Sequence, residues 1–183
     1  MTTIIYSRRQ IGAIVNEGFF SRMLDNCRDI PDIFELVKRG VRQCTGWERS
    51  GLMLALSNLG GGSDGFVGAY YPLSSNVIVM NELPLKNIRI NDPKLLKSYI
   101  FHILLHEYLH ALGMVDEAAT RAKVQEICQE LLGEDHDATR MSSDITTLIP
   151  KLVHPEPGWE PEGDQGFRLV PGFDRSSTDP YIG

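Results

Sequence analysis

With 183 residues, of which 42% are hydrophobic, 8% aromatic and 23% charged, the chain has the composition of one folded domain with a substantial core, too short for two of ordinary size. A net charge of −6 without a dense Lys/Arg block argues against duplex DNA or an anionic membrane surface as a main partner. Three cysteines, Cys27, Cys44 and Cys128, stand far apart with no CxxC pair, which excludes a disulfide framework or a Cys-rich zinc site and fits reduced thiols in a cytoplasmic protein.

The stretch Met1 to Arg9 carries its charges after a very short apolar run, so no secretory signal is expected, and no apolar run approaches the ~18 residues of a membrane span. Residues 10 to 44 carry helical spacing: Ile11, Ile14, Val15, Phe19, Phe20, Met23 and Leu24, then Ile33, Phe34, Leu36, Val37 and Val41. They predict two helices, broken near Asp29 or Pro31. The short apolar run Gly51 to Ser57 suits a buried strand, and the glycine cluster Gly60 to Gly65 a turn; it lacks the Lys-Ser/Thr of a phosphate loop. Phe66 to Tyr71 and Asn76 to Met80 predict two further strands. Asn91-Asp92-Pro93 then starts a helix, with Asp92 as N-cap, that runs to Leu112 before Gly113 stops it. Val115-Asp116-Glu117 opens another, rich in helix formers from Ala118 to Leu132 and ended by Gly133. From Pro150 onward, six Pro and five Gly in 34 residues and no sustained period predict a tail or strap, which Phe167, Leu169, Val170 and Phe173 could pin to the domain.

The chemistry is concentrated in His106-Glu107-Tyr108-Leu109-His110, an HExxH near the end of the long helix. Positions i and i+4 share one helical face, so the two imidazoles can chelate one metal ion, while Glu107 can reach a water on that metal as general base. A catalytic zinc takes three protein ligands and keeps a fourth position open. For the third ligand the candidates are Asp116, Glu117, Glu130 and His136, with Asp116 equally placed to be the N-cap of the following helix. His102, one turn before His106, has Ile103 where a base would stand and is expected to be structural. His154 lies in the Pro-rich tail. The acidic run Glu134-Asp135-His136-Asp137 lacks the alternating ligands of a calcium loop and is expected to be solvated.

The extended motif His106-Glu107-x-x-His110-x-x-Gly113-x-x-Asp116 resembles the metzincin signature HExxHxxGxxH/D of zinc metallopeptidases. That resemblance implies Asp116 as third zinc ligand beside His106 and His110, Glu107 as catalytic residue, one catalytic Zn2+, and a zinc metalloendopeptidase acting on peptide or protein substrates. It also implies an α+β fold: a small zincin-like domain, with a mixed, mostly antiparallel sheet packed on helices and the HExxH on the central active-site helix. That domain is expected over residues 1–149, and composition sets the Pro/Gly-rich C-terminal tail at 150–183. Val77 to Met80 is the candidate edge strand for the substrate backbone. Met141, 25 residues past Asp116, stands where the clan places a methionine turn beneath the metal, although Ser143 replaces the Tyr that often follows. The missing secretory signal departs from most metzincins and favours processing or quality control inside the cell. Two other functions are compatible with the sequence. A ribosomal-RNA-processing endoribonuclease family has a similar HGxLHxxGxxH helix, in which Glu107 replaces a glycine and Asp116 a histidine. A zincin fold kept as a binding module is the other, and it has no need of Glu107. Oligomeric state is left open.

Overall fold

A computed structural model describes residues 18–61, 65–153 and 166–177. Within them the fold is α+β: a small mixed sheet with six helices. The first helix, α1, is described over residues 18–26. Helix α2, Ile30–Thr45, begins where Asp29 accepts a hydrogen bond from Asp32 N with Pro31 in its first turn, and ends at Gly46 in the left-handed region. The expected break is therefore where the sequence put it, while residues 10 to 17 lie outside the described ones.

Strand β1 is Met53–Ser57, and the expected strand 66–71 is divided into β2, Phe66–Val67, and β3, Ala69–Tyr70. Gly68 marks the division because it lies against the next layer: a Cβ there would sit 2.9 Å from Tyr99 Oη and 3.1 Å from Ile103 Cδ1. Strand β4, Val77–Asn81, follows and runs into α3, Glu82–Asn91. The sheet order is β3-β4-β1-β6, where β6 is Arg168–Leu169, and a separate pair joins β2 to β5, Leu152–Val153. The sheet is mixed, as expected: β1 pairs with β4 in parallel from Met53↔Val77 to Ser57↔Asn81, while β3 with β4 and β1 with β6 are antiparallel. One expectation changes here. Strand β4 is flanked on both sides, so Val77 to Met80 is not an edge; β3 is.

Helix α4, Leu96–Ala111, follows a short 3-10 turn at Pro93–Leu95. Asp92 makes no side-chain cap there, and α4 is correspondingly shorter than the sequence suggested. Thirteen of its 16 residues are buried, so it is the central helix, enclosed by the sheet, α2, α5 and α6. Its Tyr108 ring meets Phe34 of α2 edge-on at 5.4 Å. Helices α5, Glu117–Leu132, and α6, Asp137–Asp144, complete that layer. The three cysteines are free thiols, Cys27 and Cys128 buried and Cys44 half-buried. Among the described residues no helix is long and apolar enough to cross a membrane.

The end of the chain is built into the fold over 166–177. Val170 N donates to Leu54 O at 2.9 Å, and Phe173 stacks on Phe34 with centroids 4.1 Å apart. Phe167 and Leu169, in contrast, are exposed. Asp174, 1% exposed, pairs with the equally enclosed Lys38 and accepts from Leu52 N at 2.9 Å. Arg175 reaches Asp29 at 2.7 Å and also Asp32.

Removing one member of a buried ion pair costs about 3–5 kcal/mol, because the other stays desolvated. Lys38→Met is therefore expected to lower urea-unfolding stability by about that much, whereas Arg42→Met at the exposed Arg42–Glu48 pair is expected to change it by under about 0.5 kcal/mol. The side-chain and backbone hydrogen bonds from Arg28, helped by Arg175, hold Asp32 at about 2, below its ordinary 3.8. A folded-state value below the unfolded one stabilises fully above the unfolded value and is lost as pH falls through the folded one. Unfolding midpoints should therefore fall from about pH 4 to about pH 2 less steeply in Asp32→Asn than in the wild type.

Candidate metal centre

The site begins at the C-terminal end of α4. Its last turn is held by Arg49, whose guanidinium donates to Ala111 O at 2.6 Å, Tyr71 Oη at 2.8 Å and Ser75 O at 2.7 Å, a cation at the negative end of the helix. Tyr108 Oη accepts from Arg49 N at 2.8 Å. Beyond Ala111 the chain reverses through a Schellman turn, in which Met114 N donates to Leu109 O at 3.1 Å and Gly113 N to His110 O at 2.9 Å. Gly113 has φ +102, which a side chain would strain, although a Cβ there would meet nothing.

This reversal does two things. It brings the Met114 carbonyl to His110 Nδ1 at 2.6 Å, which places the ring proton on Nδ1 and leaves the Nε2 lone pair facing His106. It also starts α5 so that Glu117 in its first turn leans back over α4. His106 Nε2, His110 Nε2 and Glu117 Oε2 then form a triangle with sides of 3.1, 3.2 and 3.3 Å. A tetrahedral zinc with bonds of about 2.0–2.1 Å holds its ligand atoms about 3.3–3.4 Å apart, so the three donors fit one such ion and leave its fourth position to another ligand. Arg121, one turn beyond, donates from Nε to Glu117 Oε1 at 2.7 Å and so fixes which oxygen faces the imidazoles.

Of the expected residues, His106 and His110 are brought together, and Glu107 is buried beside them at 3% exposure. Asp116 is not part of the cluster. Its carboxylate turns back to accept from Ala119 N at 2.7 Å, capping α5, and the adjacent Glu117 supplies the acid. The other candidates are elsewhere: Glu130 lies beside Cys44, whose thiol is pushed up to about 12 by burial and then by that carboxylate, and His136 Nδ1 accepts from Ala138 N at the start of α6. Met141 is buried within α6 and lines a cleft with His106, on a helix instead of a turn. His102 is buried one turn before His106 and lines the same cleft. His154 lies outside the described residues. Arg121 was missed by the sequence analysis, although its i+4 spacing from Glu117 was a usable signal.

The electrostatics fit a cation site. Burial raises the Glu107 carboxyl above the usual carboxylate range, His106 and His110 pull it back, and Glu117 adds to the rise. Burial acts the same way on Glu117, but hydrogen bonds to His106, His110 and Arg121 outweigh it and hold that group well below its ordinary value. For His110, burial opposes the charged ring, and the bond to Glu117 with the Glu107 charge more than offsets it.

Comparison with protein-family models, with curated proteins and with solved structures finds no match. The resemblance to zinc peptidases therefore rests on the sequence motif.

Elemental analysis of variants separates the two neighbouring acids. Glu117→Ala is expected to lose bound zinc and Asp116→Asn, which can still cap α5, to retain it; the reverse pattern would return the third position to Asp116.

Proposed function

We propose that this chain is a zinc-dependent metallopeptidase of zincin type, with His106, His110 and Glu117 as metal ligands and Glu107 as general base. The observation that carries the reading is the donor triangle of 3.1–3.3 Å set beside a buried carboxylate on the same helix. A zinc ion held there would supply Lewis acidity, making a water nucleophilic near neutral pH and polarising a peptide carbonyl. Glu107 would take the proton of the attacking water on its carboxylate and pass it to the leaving amine nitrogen. The Met114 carbonyl on His110 and the Arg121 guanidinium on Glu117 keep two of the ligands oriented. The cleft of about 370 Å³ along His106 gives a substrate side chain somewhere to sit.

Glu107→Gln tests the assignment. It should retain zinc yet lower kcat/KM on a cleaved peptide by about two to four orders of magnitude. Unchanged turnover would remove Glu107 from the chemistry, and a wild-type chain that takes up no zinc would remove the peptidase reading altogether.

A further inference from the structure

The cleft beside His106 has two unlike parts. Its floor is apolar, made by Val124 of α5, Met141 of α6, Ile145 and Leu152. Its rim on the α6 side is the segment Ser142 to Thr146, and the protons of that rim are already committed within the chain. Ser142 Oγ donates to Thr139 O at 2.6 Å, and Thr146 Oγ1 donates to Asp144 Oδ1, also at 2.6 Å. Ser143 Oγ receives Gln125 Nε2 at 3.2 Å and lies 3.4 Å from Thr139 O. A hydroxyl has one proton and two lone pairs, so a rim whose protons are spent presents acceptors, and Asp144 adds a carboxylate to them. The cation among the lining residues, Arg121, is turned towards Glu117, to which its Nε donates at 2.7 Å.

We propose that this cleft is a subsite for a positively charged hydrogen-bond donor of the substrate, with Asp144 and the neighbouring hydroxyl oxygens as its acceptors. The inference deepens the peptidase reading and rests on it. The ligand chemistry is an ammonium or guanidinium group, carried by a Lys or Arg side chain or by a peptide's own N-terminus. A long basic side chain matches both parts of the cleft, its methylene stem on the apolar floor and its head at the acceptor rim. The chain's net charge of −6 favours approach of such a substrate and disfavours an acidic one.

The test uses the full zinc-loaded chain and matched peptides that carry Lys, Arg, norleucine or Glu at each position around the scissile bond, with the N-terminus free or acetylated. Lys and Arg peptides are expected to have kcat/KM about tenfold above norleucine at one position, the low end for a hydrogen bond to a charged group. Asp144→Asn, which can still cap its own turn, should abolish that preference and leave zinc content unchanged. Preference surviving acetylation assigns the subsite to a side chain; preference lost on acetylation assigns it to a terminal ammonium. Equal rates for Lys and norleucine, a preference for Glu, or a preference retained in Asp144→Asn would overturn the proposal. If zinc binds and no peptide is cleaved, the peptidase reading falls, and calorimetry decides the subsite separately. Nα-acetyl-lysine amide binding more tightly than the norleucine amide, and more weakly to Asp144→Asn, would support it; equal binding of the two would overturn it.

Discussion

Helix α4 has no solvent face, and the rest of the molecule is arranged around that constraint. A helix enclosed on all sides is ordinarily apolar throughout, yet this one carries His102, His106 and Glu107 at 3% exposure or less. Keeping an ionised group out of water costs several kcal/mol even after relaxation. The same helix offsets that cost by burying Phe101, Ile103, Leu104, Leu105 and Leu109, each contributing about 1.5–3 kcal/mol. Polar groups held at such a cost, next to a cleft and an acid on the following helix, are what marks this place as the candidate site.

The part of the site that was legible in sequence is the part set by local periodicity. An i, i+4 pair of imidazoles on a helix puts both rings on one face whatever the tertiary structure, and Gly113 announces the end of that helix. The third acid was not legible, because Asp116 and Glu117 are neighbours and differ in conformation, not in chemistry. Asp116 has the extended backbone of an N-cap, φ −70 and ψ 119, and a short side chain in that position folds back onto its own helix. Glu117 is already helical, and its longer side chain spans the gap to α4. In a pair of acids at a helix start, cap geometry assigns the short one to the helix and releases the long one.

Elsewhere the sequence was less informative where pairing is long-range. The strands β1 and β4 were visible as apolar runs, but their order in the sheet, which makes β4 interior and β3 an edge, depends on contacts no window contains. Helix α3 has no counterpart among the expected elements; its Pro84 stands in the first turn, where its missing N–H is one of the unbonded four, and Asn81 Oδ1 accepts from Leu83 N. Asn81 is itself buried, and its amide also donates to Gly60 O and Val67 O, joining three chain segments at one residue. For the segment after Pro150, composition registers Pro and Gly but not single anchors, and Phe173 and Asp174 are enough to seat residues 166–177 on α2 and β1.

The two halves of the proposed site have different origins in the chain, with consequences for how each can vary. The donor triangle comes from His106 to Glu117, a helix, a turn and the next helix start, so its geometry depends on the Gly113 reversal and the Arg49 clamp more than on the sheet. The cleft rim comes from α6 and the turn after it, and part of the floor from Leu152 next to β2. On the proposed reading, a substitution at the rim would therefore change which side chain is accepted without displacing a metal ligand. The reverse does not hold, because Arg121 touches both Glu117 and the cleft, so on the proposed reading a change there would move metal affinity and substrate preference together.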